Sequence, residues 1–351
     1  MTEASEPLRA SVDLAESQKD WANAAIGVKN LSELELMLGQ SEALRNADQS
    51  VVFANRSGDA DLEVIMGSTH ADGLHQSGRR TQSEALFREA ESLQARRPQT
   101  FPKLCSVAGF QYCDLLLTGP ELAAWQTLLA KSRPKDVPAD NGTMAATSVI
   151  SCRVTFERAA QTRTIAKREN RLLDIALDDL TLGRAALYEF VLQSRVSRGE
   201  SAQTSPSSPL GMRSEKTIGL TSVATSLDVA LNELRRAASH QYLPLGLFSR
   251  AWCSVAKANL LRQLDQERQA VDCETSARRD LDEAWEIAER GPMPLFLADT
   301  LLHRARLFRA VTPYPWISPQ ADLVEARRLI EKHGYWRRKE ELEDAEAAML
   351  E

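Results

Sequence analysis

The sequence predicts an all-α fold, a solenoid of about five or six stacked helical hairpins. Three observations carry that expectation. One spacing recurs along the chain, most clearly in Gly78, Ser83, Phe87 and Ala90. There a glycine closes one helix, a small residue follows five positions on, a bulky apolar one four later and Ala three after that. The interval returns in Ala277, Leu281 and Ala284 before a Gly291-Pro292 stop, and in Val223, Leu227 and Ala230, where the stripe runs on to Leu231 and Leu234. Ala43, Ala47, Val51 and Phe53 form a looser copy after Gly39. Residues at plus four and plus seven share a helix face, and small ones let two helices approach to roughly 8–10 Å. Composition agrees: aromatics are only 6% and no Val/Ile alternation appears, which excludes an all-β chain and leaves little room for βαβ units. Length is the third observation. At 351 residues the chain exceeds one ordinary domain of roughly 150, and a solenoid grows by stacking.

Taken in order, a disordered tail over 1–7 ends at Pro7, and helices follow over Leu8–Lys19 and Trp21–Leu38, the latter carrying Leu31, Leu34 and Leu36. Gly39 breaks the pattern before Ser41–Arg56. Asp61–Gln76 and Thr81–Arg96 make the clearest hairpin, and Phe101–Leu117 with Glu121–Ser132 the next, so N-terminal hairpins occupy 8–132. Two prolines and Asp-Asn-Gly within Arg133–Thr143 stop helix there, giving a linker over 133–148. Helical patterning resumes over Val149–Glu169 and Leu172–Gln193. Arg195–Thr217 is Ser/Gly/Pro-rich and nearly free of large apolar residues, and reads as a disordered surface insertion. C-terminal hairpins over 149–350 continue through Ser222–Ser239, Pro244–Leu264, Ala277–Arg290, Leu295–Ala310 and Pro319–His333. The highly charged Tyr335–Leu350, with Arg337/Glu341 and Lys339/Glu343 at i,i+4, suits a capping helix with a polar outer face. The chain opens on the second half of a hairpin, as a fragment of a longer protein would.

A net charge of −6 with interspersed signs argues against nucleic acid as a partner. Arg327, Arg328, Lys332, Arg337, Arg338 and Lys339 surround Tyr335 and Trp336, but five glutamates interrupt them, and the run reads as a solvated helix. No stretch approaches the ~20 apolar residues that span a bilayer, so no membrane partner is expected. The acidic N-terminus lacks the apolar core of a signal peptide, and five scattered cysteines without CxxC read as reduced thiols; together they predict a cytoplasmic protein.

No phosphate-binding GxxxxGK[ST] or GxGxxG run and no GxSxG elbow appears, so the sequence supplies no reaction, cofactor or catalytic residue. His70, Asp72 and His75 come nearest to a metal or catalytic cluster. Residues five apart on a helix point about 140° away from each other, however, so the two imidazoles diverge and no metal site is expected.

The spacings, together with the Leu182-Gly183 pair, resemble the tetratricopeptide repeat, a helix–turn–helix unit with small residues where its helices touch. No copy carries the full signature set. The segments CDLLL, LTLGRAALYE, LDEAWEIAERGPM and EARRLIEKHGYWRRKEELEDAEAA are also similar to the C-terminal repeat arrays of bacterial Toll/interleukin-receptor-domain or STAND-type NTPase signalling proteins, whose effector module is absent here. The resemblance implies a right-handed superhelix and a non-enzymatic scaffold or sensor arm that holds a protein or peptide partner in a concave groove. The alternative is a small-ligand-sensing regulatory domain acting on a separately encoded enzyme. With Ala71, Gly183 and Ala251 as close-contact positions, helical geometry turns Ser68, Thr69, Asp72, His75 and Gln76 toward the groove. Thr181, Arg184, Leu187 and Tyr188 follow in the next array, then Phe248, Ser249, Trp252 and Val255. Phe248 and Trp252 either meet the ligand or pack against the next repeat.

Overall fold

A computed structural model describes residues 4–97, 101–129, 141–200 and 209–350. Among these residues the regular structure is helical, without a strand. The helices are α1 Ser5–Ser17, α2 Trp21–Met37, α3 Ala43–Ser57, α4 Ala60–Gln76, α5 Arg80–Ala95, α6 Ser106–Leu129 and α7 Asn141–Arg168. They continue as α8 Leu172–Glu200, α9 Pro209–Arg236, α10 Leu243–Arg262, α11 Glu267–Arg290, α12 Pro294–Phe308, α13 Pro319–His333 and α14 Lys339–Ala347. None is long and apolar enough to cross a membrane.

Local chemistry sets several of these boundaries. The Asp20 carboxylate accepts the Asn23 N–H (3.2 Å) at the start of α2, and Asp59 accepts from Asp61 N–H (2.8 Å) and Leu62 N–H (3.3 Å) at the start of α4. Each satisfies amide groups that an open helix end would leave bare.

Other boundaries differ from expectation. α1 begins at Ser5, inside the expected tail, whose first three residues lie outside the described ones. The expected break before Glu121 is absent: α6 runs through Pro120, which costs one backbone hydrogen bond while Leu115, Leu117, Ala124 and Trp125 are all buried along the same helix. α7 starts at Asn141, so only 133–140 of the expected linker lie outside the described residues. Likewise α8 reaches Glu200 and α9 begins at Pro209, leaving 201–208 of the expected insertion outside them. α11 begins ten residues early, where Ala270 packs with Ala258 and Leu261 and Arg262 forks onto Glu274.

The chain forms two compact units. The first comprises Met1–Leu115, Ala288–Ala298 and Glu325–Glu340; the second comprises Leu116–Ile287, Asp299–Val324 and Glu341–Glu351. In the first unit α1 packs on α2, α2 on α3, α3 on α4 and α4 on α5, and α2 also touches α4. In the second, α7, α8, α9 and α10 pack in chain order, with α8 also touching α10. The residues of the recurring spacing are buried: Ala47, Ser83, Phe87, Ala230, Ala277, Leu281 and Ala284 have no exposed surface, and Ala90 has 2%. Ser32 Oγ donates to Ala43 O (2.7 Å) and Ser83 Oγ to Ala71 O (2.7 Å), so a small polar residue also ties each hairpin of the first unit. Gly183 is a close approach, since a Cβ there would lie 2.5 Å from Leu227 Cδ2.

The C-terminal segment departs most from expectation. Residues 325–340 belong with the first 115 residues. The expected single capping helix is a 3-10 turn over Trp336–Arg338 followed by α14, and it buries Tyr335, Arg338, Glu341, Leu342 and Ala345. Arg337 pairs with Asp114 and Glu341 with Arg306, so charges expected on an exposed face hold buried chain together.

Candidate functional site

In the first unit α4 carries five of the ten candidate side chains. Ser68 Oγ donates to Val64 O (2.8 Å) and Thr69 Oγ1 to Ile65 O (3.2 Å), and both hydroxyls are buried against their own helix. His70 turns toward Asp48 (3.8 Å) and His75 toward Asp114 (3.5 Å), so the two imidazoles diverge as helical geometry requires. His75 is 1% exposed.

Around it lies a polar network. Arg337 grips Asp114 through both guanidinium nitrogens and also donates to Gln76 Oε1 (3.4 Å). Gln76 Nε2 donates to Asp72 Oδ1 (2.9 Å), while Gln111 Nε2 donates to Asp72 Oδ2 (3.3 Å). Burial raises the Asp72 carboxyl to about 7; the Gln76 hydrogen bond opposes this and the Asp114 charge adds to it. Burial, followed by the Arg337 charge, lowers His75 to about 4 against the pull of Asp114. At neutral pH the imidazole is therefore uncharged.

Beside Gln76 a cavity of about 310 Å³ opens among the ends of α2, α4 and α13 and the starts of α3 and α12. Leu36, Ala43, Leu44 and Leu295 make its apolar wall. Arg79, Lys332, His333 and Trp336 contribute to the rest of the lining, and no lining residue is acidic. Gly39 holds two of the segments together. It has φ +63, and a Cβ there would lie 2.5 Å from His333 Nδ1 and 2.7 Å from Pro294 Cγ, so glycine meets a conformational and a steric demand at once. His333 Nδ1–H donates to Gly39 O across this contact (2.8 Å). Arg79 and Lys332 are exposed, and neither side chain has a hydrogen-bond or ion-pair partner among the described residues.

The other five candidates gather in the second unit. Thr181 Oγ1 donates to Leu177 O (3.0 Å). Arg184 lies 3.5 Å from Glu121 and donates through Nε to Tyr188 Oη (3.4 Å). Tyr188 leans on Trp252 (5.3 Å between ring centroids), Trp252 stacks on Trp125 (3.6 Å), and Phe248 stacks on His303 (4.6 Å). Arg306 lies over Trp125 (3.7 Å) and reaches Glu341 (2.7 Å). Tyr188, Phe248 and Trp252 are at most 3% exposed, so they pack against other side chains rather than face solvent.

Eight of the ten candidates are thus buried, and only Asp72 and Gln76 keep partial exposure. The eight buried side chains do not project into solvent, and in the second unit the aromatic faces cover one another. Sequence reasoning missed Asp114, Trp125, His303 and Arg306, and it read Arg337 as a surface charge. The Arg337–Asp114 pair joins positions 223 residues apart, beyond any local spacing signal. Among the described residues no group of three or more His, Cys, Asp or Glu side chains is placed to hold a metal. Burial pushes the Cys152 and Cys253 thiols up to about 12, far from a nucleophilic thiolate at neutral pH. No protein-family model matches this chain, and no curated protein matches it.

Proposed function

We propose that this chain is a non-enzymatic binding protein, a scaffold or sensor arm that recognises a protein or peptide partner. The observation that carries the reading is a contrast in how polar side chains are used. The buried His75, Asp114, Arg184, Glu121, Arg306 and Glu341 are spent on joining helices, whereas Arg79 and Lys332 stand exposed and, among the described residues, unpaired beside an open cavity. Groups tied in structural pairs hold the fold; unpaired cations beside a concavity attract an anionic surface. The reading includes a right-handed, tetratricopeptide-like stacking, supported by the packing of α2 on α4 and of α8 on α10, as first helices of successive hairpins do. It also includes a sensor role in the cytoplasm like that of the bacterial repeat arrays the sequence resembles.

A second reading, a small-ligand-sensing regulatory domain, is favoured by the cavity itself. Its volume of about 310 Å³ sits at the lower end of the roughly 300–1,000 Å³ typical of small-molecule sites.

Affinity capture from a cytosolic extract tests the first reading with three proteins: wild type, R79E/K332E and the α5 variant E84A/R88A. A protein held by wild type and by the α5 variant, but lost from R79E/K332E, is the expected result. Loss from the α5 variant with retention by R79E/K332E would place recognition elsewhere and sink the reading.

A further inference from the structure

The geometry points to the cavity of the first unit as a site for a small anionic amphiphile: a carboxylate carried on a short aliphatic or aromatic body. This assignment rests on the small-ligand reading above and gives that reading a ligand class.

Two features define the class. The first is charge. In a chain with 49 acidic and 43 basic residues, the cavity lining holds no acid, while Arg79 and Lys332 have no hydrogen-bond or ion-pair partner among the described residues. A concave site with one sign of charge concentrates its counter-ion, and guanidinium and ammonium groups suit a carboxylate. The second is the apolar wall. Leu36, Ala43, Leu44 and Leu295 offer a carbon surface that a bare inorganic anion cannot use, and Trp336, 44% exposed, adds an aromatic face at the same cavity. A cavity of this volume excludes an amphipathic helix, which needs a long groove, and accepts a compact molecule. Four separate stretches of chain build it, around positions 36–44, 73–79, 295 and 332–336, so an occupant bridges segments brought together only in the folded unit. Such an occupant stabilises the native state by mass action.

Isothermal calorimetry on the full chain with octanoate tests the assignment, using 1-octanol, octylamine and inorganic phosphate as matched probes. Octanoate should bind at one site, roughly tenfold or more tightly than each of the other three. R79E/K332E and the milder R79A/K332A should each weaken octanoate by roughly tenfold while keeping the wild-type urea midpoint, since both side chains are exposed. Octanoate should also raise the wild-type melting temperature and leave that of R79E/K332E unchanged. The assignment is overturned by silence with octanoate up to about 10 mM, by octylamine or 1-octanol binding equally well, or by unchanged affinity in both variants. Phosphate binding as tightly as octanoate would make the site one for a bare anion and also overturn it. If octanoate fails while R79E/K332E still loses a captured protein, the ligand class is wrong and the scaffold reading stands. Octanoate binding without partner capture upholds the ligand class and removes the scaffold reading.

Discussion

Asp72→Asn should uncover a pH dependence of stability that the native protein conceals. In the folded chain Asp72 ionises at about 7 rather than near 3.8, and His75 at about 4 rather than near 6.5. Between pH 4 and 6.5 the unfolded chain therefore carries an ionised Asp72 and a protonated His75, while the folded chain carries both groups neutral. Acidification favours the folded state through Asp72, whose folded form holds the extra proton, by about 1.4 kcal/mol per pH unit. It favours the unfolded state through His75 by the same amount, because there the unfolded form holds the extra proton. The two slopes oppose each other and nearly cancel. Removing the carboxyl with D72N leaves the His75 slope alone, so stability relative to wild type should fall by up to about 3 kcal/mol from pH 6.5 to pH 4. His75→Asn should do the opposite and gain relative stability from pH 7 to pH 4, by at most about 3 kcal/mol. Urea midpoints at each pH, with m-values checked for constancy, provide the readout. Other titrating groups, such as Asp178, which burial raises to about 7, are common to all three proteins and drop out of the differences. A D72N profile parallel to wild type throughout that window would refute the reasoning.

Three further outcomes are expected. Ala90→Leu and Ala284→Leu each place an isobutyl group at a buried helix contact and should lower stability by about 1–3 kcal/mol in urea unfolding, whereas Glu84→Ala on the exposed face should change little. Arg306→Met removes a charge partner of Glu341, 3% exposed on its side chain, and should cost about 3–5 kcal/mol; the double variant with Glu341→Gln should recover a large part, and no recovery would show that the pair is not coupled. Gly39→Ala forces a left-handed residue and a clash with His333, so thermal unfolding should report a loss of at least about 1–3 kcal/mol.

Much of the fold was legible because its signals are local. Ser83, Phe87, Ala90, Leu281 and Ala284 declare buried helix faces by spacing alone, and the structure buries each of them. Pro120 misled because a proline's effect depends on whether the surrounding helix is packed well enough to absorb one lost hydrogen bond. The candidate site was less legible. Periodicity identifies which helix face points inward, but it does not distinguish a face lining an open groove from one covered by another element. Tyr188, Phe248 and Trp252 were expected to face a groove; they are buried, and the aromatic neighbours Trp125 and His303 that cover them lie at remote positions. Arg337 and Lys332 show the same limit. Five residues apart in one basic run, the first is 3% exposed on its side chain and ion-paired, while the second stands exposed beside the cavity. Only the three-dimensional path of the chain separates them.

That path also bears on how the protein is made. The first unit takes its last strip of wall from residues 325–340, including the Arg337 that neutralises Asp114 and the His333 that seats on Gly39. A ribosome has therefore to release more than two hundred further residues after Leu115 before that unit can close. At roughly 5–20 residues per second this is an interval of about 10–45 s. Throughout it, the Asp114 carboxylate has no Arg337 and the surfaces that later bury Tyr335 and Arg338 stay open to water and to other chains. A stop codon anywhere before position 325 would leave those surfaces without the segment that covers them.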